Sequence, residues 1–261
     1  MSSQQEVPDV TLAGGVAMPT IGLGTWELRG KSGYQAMCTA LELGYRHLDT
    51  ATMYRNEAEA GRAIRDSGLD RGEVFATTKM LAGDAGREQQ VITASLKALG
   101  TDYVDLWLVH WPPAASARVS AWRGFLAARD AGLARAVGVS NYSVAQVDEL
   151  AEATGEMPSV NQVPWSPPEH DPKFLAAMAE RGIVIEGYSP LKSTNLRDPV
   201  LARIAARHEV TPAQVVLRWH LEHGIVVIPK SADRRRLADN LAVAQFSLSD
   251  AEVAEVDGLR G

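Results

Sequence analysis

Hydrophobic residues recur along the chain in two patterns that alternate. Short apolar runs rich in Val, Ile and Leu are typical of buried strands, whereas longer segments in which apolar residues return every three or four positions are typical of helices with one buried face. The strand-like runs cover residues 21–24, 47–50, 74–79, 104–110, 134–140, 159–163, 184–188 and 226–229. The helix-like segments cover residues 34–43, 58–67, 88–99, 119–131, 144–153, 173–181, 200–208, 212–222, 234–244 and 250–257. Strands that alternate with helices predict a parallel sheet covered by helices.

The order of these segments predicts an α/β fold in which eight strands close into a (β/α)8 TIM barrel. Two short runs around Gly14 and Gly15 predict an N-terminal β-hairpin, and segment 212–222 is an extra helix before the last strand. The alternative is a doubly wound open sheet, which also alternates strands and helices. Residues 22–27 (GLGTWE) lack the third glycine of a dinucleotide-binding loop and do not run directly into a helix, which favours the barrel. We therefore expect one domain over residues 1–261.

Composition and charge narrow the class of protein. The chain has 261 residues, of which 46% are hydrophobic and 22% are charged, as in a globular protein with a large core. Its formal net charge of -6 disfavours nonspecific binding to nucleic acid. There is no apolar run of the roughly 20 residues that a spanning helix needs, no signal-peptide pattern at the start, and a single cysteine, Cys38. We expect a cytoplasmic protein without a metal site, a membrane anchor or a nucleic-acid partner.

Polar side chains stand at the C-terminal ends of the strand-like runs, where barrels of this kind carry their functional groups. They are Asp49, Lys79, His110, Ser140, Asn141, Gln162, Tyr188 and Lys230. Asp49, Lys79 and His110 follow one another at intervals of about one strand and one helix, so they should converge on the same mouth of the barrel. Tyr54 lies on the loop just after Asp49 and joins this group.

An Asp, a Tyr, a Lys and a His together suit the transfer of a proton to a carbonyl oxygen. A free tyrosine has a pKa near ~10, and a neighbouring ammonium group, here Lys79, lowers it. Asp49 would keep Lys79 charged and in place, and His110 would hydrogen-bond the substrate carbonyl. Each residue alone has an ordinary alternative, since the Asp can cap a helix, the Lys and the Tyr can be solvated at the rim, and the His can pack beside Trp111. Their joint occurrence at consecutive strand ends favours the catalytic interpretation.

Six segments in the expected order resemble the aldo-keto reductase superfamily, and the resemblance covers nearly the whole chain. The segments are residues 18–26 (MPTIGLGTW), 44–51 (GYRHLDTA) with Tyr54, Asn56 and Glu57, 109–112 (VHWP), 138–141 (GVSN), 187–191 (GYSPL) and 228–231 (IPKS). They are similar to bacterial members of the 2,5-diketo-D-gluconate reductase type. The resemblance implies an NADP-dependent oxidoreductase that reduces aldehydes and ketones to alcohols.

The same resemblance implies roles for the residues at the strand ends. Asp49, Tyr54, Lys79 and His110 would form a catalytic tetrad, with Tyr54 as general acid in reduction and general base in the reverse oxidation. The nicotinamide carboxamide of NADPH would be bound by Ser140, Asn141 and Gln162, and Tyr188 would stack on the ring. Further cofactor contacts would come from Gly24, Thr25, Trp26, Ser189 and Leu191.

The basic segment near the last strand would bind the adenosine end of the cofactor. Lys230, Ser231 and Arg236 would grip the 2′-phosphate, and Asp239 and Asn240 would contact the adenine. Because an arginine fork and a helix start both suit a phosphate, NADPH is expected over NADH. For the neighbouring arginines at positions 234 and 235, a solvated helix start is the ordinary alternative.

The substrate pocket is expected to be apolar and aromatic. Its walls would be Trp26, Met53 and Trp111, with Met80 a further candidate, whereas Trp122 and Trp165 belong to the core. The chain departs from the family pattern twice: residues 80–84 (MLAGD) lack the aromatic residue that many relatives carry there, and the chain ends at Gly261 without a long C-terminal loop. We expect an open pocket that accepts small carbonyl compounds with relaxed specificity, in a monomer.

Two other functions fit parts of this pattern. A member of the same fold that binds NADPH but turns over very slowly or not at all would act as a redox sensor or regulatory subunit. A barrel isomerase or aldolase would use Lys79 to form a Schiff base and would need no nicotinamide. The complete tetrad disfavours the first alternative, and the basic segment 230–240 disfavours the second.

Overall fold

An antiparallel hairpin precedes and closes the lower end of the barrel. In the computed structural model, which describes residues 8–259, β1 (Asp9–Thr11) pairs with β2 (Ala17–Pro19) around a turn in which two successive glycines adopt positive φ. The hairpin buries Leu12, Val16 and Met18 against apolar residues of the barrel strands. These strand residues are Phe75, Leu106, Leu108, Ala136, Val160 and Val226. The hairpin therefore acts as an apolar plug.

Eight parallel strands form the barrel, each paired with the next one along the chain. They are β3 (Leu23–Gly24), β4 (His47–Asp49), β5 (Phe75–Met80), β6 (Val104–Val109), β7 (Ala134–Ser140), β8 (Val160–Pro164), β9 (Val184–Tyr188) and β10 (Val226–Val227). The barrel closes where Gly22 N donates to Val227 O at 2.9 Å and Val227 N donates to Thr20 O at 2.9 Å. This closure confirms the predicted barrel over an open sheet.

Helices surround the barrel and bury one face each against it. They are α1 (Gly30–Leu43), α2 (Glu57–Asp66), α3 (Glu88–Leu99), α4 (Ala115–Asp130), α5 (Val144–Thr154), α6 (Pro172–Glu180), α7 (Pro199–His208), α8 (Pro212–Glu222), α9 (Arg234–Leu241) and α10 (Asp250–Asp257). Both α7 and α8 lie between β9 and β10, so the extra helix before the last strand is confirmed, as is the N-terminal hairpin. Within residues 8–259, no helix combines the length and apolar character needed to cross a membrane.

Some bounds differ from those predicted, for local reasons. Helices α1 and α4 begin several residues earlier than expected because their first turns consist of small or polar residues that carry no apolar periodicity. The last strand stops at Val227, short of the predicted 229, and Pro229 has no N–H to donate to a ladder. Helix α8 begins where Thr211 accepts a hydrogen bond from Gln214 N and Pro212 occupies the first turn, which holds the Thr211 turn beside the mouth of the barrel.

One layer inside the barrel is polar, although the rest of the core is apolar. It lies between the hairpin plug and the mouth, and its side chains are at most 2% exposed. We call it the polar layer; its members are His47, Asp49, Thr77, Lys79, Gln162 and Glu186. Because buried polar groups are costly unless they are hydrogen-bonded, so many of them in one place indicate a function.

The contact between α2 and α3 depends on a glycine, and this gives a prediction about stability. A Cβ atom added at Gly61 would lie 1.9 Å from the carbonyl oxygen of Leu99, a backbone atom that cannot move away cheaply. We expect Gly61→Ala to lower the free energy of unfolding by about 2–4 kcal/mol, as measured by urea denaturation. Gly72→Ala is the control, since a Cβ there meets nothing within 4 Å. Equal stability of the two variants would contradict the close packing of α2 on α3.

Candidate active site

A cavity of about 690 Å³ opens at the C-terminal ends of the barrel strands. Its floor includes Asp49, Tyr54 and His110, and its walls come from loops that follow several different strands. This is the end at which barrels of this architecture carry their functional groups. The structure therefore brings the residues at the predicted strand ends to one place.

The floor is organised around a buried ion pair. Lys79 Nζ lies 2.6 Å and 2.7 Å from the two carboxylate oxygens of Asp49, and it also donates to Thr50 O at 3.0 Å. Its remaining neighbour is the hydroxyl of Tyr54, at 3.3 Å. The Lys79 side chain is 0% exposed, so the ammonium group acts on Tyr54 from below and is shielded from water.

Burial and charge set the protonation of this group in opposite directions. Burial disfavours the ammonium form of Lys79, but the charges of Asp49 and Tyr54 outweigh it and raise the pKa of Lys79 to about 12. Burial also raises the pKa of Tyr54, and the positive charge of Lys79 lowers it by less. Lys79 thus lowers the pKa of Tyr54 as predicted, but the net shift of that pKa is upward, opposite to the prediction. The Tyr54 hydroxyl therefore keeps its proton at neutral pH.

His110 stands beside Tyr54 as a neutral ring. The two rings meet edge to face with centroids 5.7 Å apart, and the His110 ring lines the cavity. Burial, assisted by the charge of Lys79, lowers the pKa of His110 to about 3. Its Nδ1 is buried and has no hydrogen-bond partner among residues 8–259. A neutral imidazole in this position can donate one hydrogen bond to an oxygen that enters the cavity.

The loop that carries Tyr54 is fixed by Asn56, to which the sequence argument gave no role. Asn56 is fully buried, and its Nδ2 donates to Thr25 O and to Leu28 O, both at 2.8 Å. Its Oδ1 accepts from Thr50 Oγ1 at 2.6 Å. Both amide hydrogens of this side chain thus tie the Tyr54 loop to the loop after β3. The sequence signal was an Asn directly before a helix, which reads as an ordinary cap.

One wall of the cavity is a chain of amide and hydroxyl groups. The Tyr188 hydroxyl donates to Asn141 Oδ1 at 2.9 Å, and Asn141 Nδ2 donates to Ser140 Oγ at 2.9 Å and to His110 O at 3.1 Å. Asn141 adopts a left-handed backbone with φ of 65°, which Asn tolerates better than most residues. Asn141, Tyr188 and Gln162 line the cavity, and their amide and aromatic groups suit a flat carboxamide-bearing ring.

Two of the residues named for the cofactor are fully buried and do not line the cavity. The hydroxyl of Ser140 donates to Gln162 O at 2.8 Å, and that of Thr25 donates to Asp49 O at 2.8 Å. Both residues are 0% exposed, so in this structure their hydroxyls serve the backbone carbonyls of neighbouring strands. Their part in cofactor binding stays a prediction.

The far end of the cavity is basic. Lys230, Ser231, Arg236, Asp239 and Asn240 all line it. Of the three consecutive arginines, the one at position 234 pairs with Glu42 at 3.0 Å, and the one at 235 lies 3.9 Å from Asp239. No ion pair is found for Arg236 within residues 8–259, and it is the arginine that faces the cavity. This end can hold a phosphate.

Aromatic side chains form the opposite rim. Trp26 is 43% exposed and Trp111 is 47% exposed, and Trp26 meets the Tyr54 ring edge to face at 5.0 Å. Met53 also lines the cavity, as do Gly24, Ser189 and Leu191. Met80 is fully buried among core residues and does not line the cavity, because strand alternation turns it outward from the barrel axis toward the helices. Trp122 and Trp165 are buried in the core, as expected.

Several lining residues were given no role in the site from the sequence. They are Glu27, Pro190, Lys192, Thr211, Ala213, Ile228 and Pro229. Most of them directly follow or precede residues that the motifs had singled out, so adjacency was the available signal. Thr211 and Ala213 come from the start of the extra helix, whose position against the mouth only the fold reveals.

Known proteins resemble the chain over nearly its full length. Residues 20–260 match the model of the aldo/keto reductase family. The chain is 42% identical to the 2,5-diketo-D-gluconic acid reductase B of a Corynebacterium species, over 97% of this chain and 93% of the relative.

Solved structures agree with these sequence matches. A crystal structure of an aldo/keto reductase from Brucella melitensis superposes with a TM-score of 0.95 at 37% identity and covers 98% of this chain and 99% of that one. A Bombyx mori aldo-keto reductase solved in complex with NADP superposes with a TM-score of 0.92 at 30% identity, and the match covers 97% of this chain and 92% of that one. With this barrel, this cavity and these relatives, the chain is an oxidoreductase that belongs to the aldo/keto reductase family.

Proposed function

We propose that this protein reduces aldehydes and ketones to alcohols with NADPH as the hydride donor and Tyr54 as the proton donor. The observation that carries the proposal is the floor of the cavity, where a protonated tyrosine hydroxyl rests on a buried ammonium group beside a neutral histidine. This arrangement offers a proton and a hydrogen bond to one oxygen atom. The aromatic rim suits the carbon side of a carbonyl compound.

The residues present fit the proposed cofactor. Gln162 and Asn141 offer amide groups beside Tyr188 near the floor, and Arg236 and Lys230 offer positive charge at the far end. When bound, NADPH would supply a hydride to the carbonyl carbon. Arg236 lies within the first turn of α9, where the helix dipole also favours a phosphate.

The chain's own residues would handle the proton. Tyr54 and His110 would both hydrogen-bond the carbonyl oxygen and hold it at the floor, and Tyr54 would transfer its proton to that oxygen. The Lys79 ammonium would stabilise the phenolate that remains, while Asp49 keeps the ammonium in place. In the reverse direction the phenolate would take the proton from an alcohol.

A direct assay tests this function. Mixing the protein with NADPH and a reactive aromatic aldehyde should consume NADPH, which is followed by its near-ultraviolet absorbance. A panel of small and bulky ketones should also react, since the rim is open. Tight NADPH binding without turnover of any carbonyl compound would instead favour a sensor. Turnover without cofactor, together with borohydride trapping of Lys79, would favour Schiff-base chemistry.

The choice of cofactor gives a second prediction. Arg236→Ala should raise the Kd for NADPH by about 10–100-fold, because a charge-assisted contact to the 2′-phosphate is lost, and should hardly change binding of NADH. Arg235→Ala is a matched control from the same turn, because the Arg235 side chain is 89% exposed. Both constants can be measured by titrating the fluorescence of the reduced cofactors. Equal losses for NADPH and NADH would show that Arg236 does not read the 2′-phosphate.

A further inference from the structure

A second carboxyl group lies in the polar layer, below the proposed proton donor. Glu186 stands on β9 two residues before Tyr188, is 0% exposed, and has no part in the proton transfer described above. A fully buried acid that is neither paired with a cation nor used in chemistry is costly. Its neighbours show what it does.

Glu186 and Asp49 share one amide group. Gln162 Nε2 donates to Asp49 Oδ2 at 2.9 Å and to Glu186 Oε2 at 2.8 Å. Both N–H bonds of this amide are therefore used inside the barrel. Since the nitrogen end is held inward by two acceptors, the oxygen end of Gln162 faces the cavity, where it can accept a hydrogen bond from a carboxamide.

Among the described residues no Lys or Arg forms an ion pair with Glu186, and the charge of Lys79 offsets only part of the rise in its pKa. The Lys79 ammonium is within hydrogen-bond reach of Asp49, Thr50 O and Tyr54, and it has no hydrogen bond to Glu186. The imidazole ring of His47 also faces Glu186. Its Nε2 lies 3.6 Å from Glu186 Oε1 and 3.1 Å from Thr77 Oγ1. Burial lowers the pKa of His47 to about 3, so this ring is neutral.

The titratable groups around Glu186 are thus the Asp49 carboxylate, the Lys79 ammonium that pairs with Asp49, the Tyr54 phenol and the neutral His47 ring. Two carboxylates bridged by one amide in a dry interior repel each other strongly. Burial, and then the charge of Asp49, raise the pKa of Glu186 to about 8. The orphaned Oε1 atom is the place where the proton can sit.

We propose that Glu186 is a positioning residue of the active site, which as a neutral acid holds the Gln162 amide with its oxygen toward the cofactor and leaves Asp49 as the only carboxylate charge beneath Lys79 and Tyr54. The role in cofactor binding rests on the function proposed above. The neutral state of Glu186 does not, because it follows from the contacts inside the barrel alone.

The charge of Glu186 would also act on the proton donor. When the pH rises through about 8, Glu186 ionises, and the added negative charge makes Tyr54 hold its proton more tightly. Carbonyl reduction, which needs the phenol, then persists to higher pH, and alcohol oxidation, which needs the phenolate, begins later. In Glu186→Gln this added charge is missing. The pH at which carbonyl reduction is lost and the pH at which alcohol oxidation begins should therefore both fall by about one unit.

Two substitutions separate the two parts of the proposal. Glu186→Gln keeps an uncharged acceptor for Gln162, so kcat and the KM for NADPH near neutral pH should stay within a few-fold of wild type, while the pH profile shifts. Glu186→Leu removes the acceptor, and we expect the Kd for NADPH to rise about 10-fold as Gln162 loses an anchor. Glu88 is a buried acid on the outer helix α3, so Glu88→Gln is the control. It should change neither the pH profile nor the Kd for NADPH.

Infrared spectroscopy of the protein without cofactor provides a readout that does not depend on activity. Wild type should show the C=O stretch of a protonated carboxylic acid at neutral pH, and this band should disappear near pH 8 and be absent from Glu186→Gln. If the band is present but no carbonyl compound is reduced, the proposed function fails and the neutral acid stands. A missing band at neutral pH, or an unshifted profile in Glu186→Gln, overturns the proposal.

Discussion

Tyr54→Phe is expected to lower kcat for carbonyl reduction by about 10²–10⁴-fold, the range typical of a lost general acid. Phenylalanine keeps the ring that meets Trp26 and His110 edge to face, so the shape of the floor should be preserved. What is lost is the hydroxyl that Lys79 contacts at 3.3 Å, and with it the proton that we propose Tyr54 transfers to the carbonyl oxygen. The measurement is the initial rate of NADPH consumption with a saturating aromatic aldehyde.

Binding provides the control for this variant. Because the hydroxyl of Tyr54 is not among the groups assigned to the cofactor, the Kd for NADPH should stay within a factor of about two. A variant that binds NADPH normally but has lost turnover supports the role of proton donor. Undiminished turnover would assign the proton to another group, for which His110 is the nearest candidate in the cavity.

Lys79→Met is expected to abolish measurable reduction and also to destabilise the fold. Removing the ammonium leaves Asp49 as an uncompensated charge that is 1% exposed, and breaking a buried ion pair in this way typically costs about 3–5 kcal/mol. It also removes the charge that favours the Tyr54 phenolate, so proton transfer should slow by at least about 10²-fold. Urea denaturation and the NADPH assay measure the two effects separately.

A double variant tells the two effects apart. Lys79→Met combined with Asp49→Leu removes both charges, and apolar replacements of buried ion pairs are often neutral or stabilising. We expect the double variant to regain most of the lost stability and none of the activity. If Lys79→Met alone were as stable as wild type, the description of Asp49 and Lys79 as a tight buried pair would be wrong.

Periodicity in the sequence was enough to predict the barrel, because each strand and each helix buries a face and leaves a regular apolar pattern. It was also enough to find Asp49, Lys79 and His110, since position at a strand end is a property of the pattern itself. Bounds were less predictable where a first helical turn is polar, as at Gly30, or where tertiary pairing decides, as at Val227.

Burial was the quantity that the sequence could not supply. The net rise of the Tyr54 pKa depends on how much water the surrounding loops exclude, and that is known only once the loops are in place. Arg236 could be separated from its two neighbours only through the family resemblance, because consecutive arginines look alike in a periodic pattern, and Arg236 is the one that faces the cavity. Ser140 could not be distinguished from Asn141 either, although only Asn141 lines the cavity.

Glu186 carried a signal that was not used. It interrupts an apolar strand at a position with the same parity as Tyr188, so alternation places it inside the barrel. In the paired strands it lies in register with Gln162. A charged residue at an inward position of a barrel strand therefore predicts a contact with the polar residue that stands opposite it in the neighbouring strand.

The hairpin that closes the lower end of the barrel also determines how protons enter it. Leu12, Val16 and Met18 fill that end with apolar side chains, whereas at the opposite end Asp49 and Gln162 of the polar layer line the open cavity. We infer that exchange between Glu186 and bulk water passes through the cleft that we assign to the cofactor. With the cleft filled, a sudden change of pH should reach the interior only after a lag. For that time, Glu186 in the protein with bound cofactor would keep the protonation state that it had when the cofactor bound.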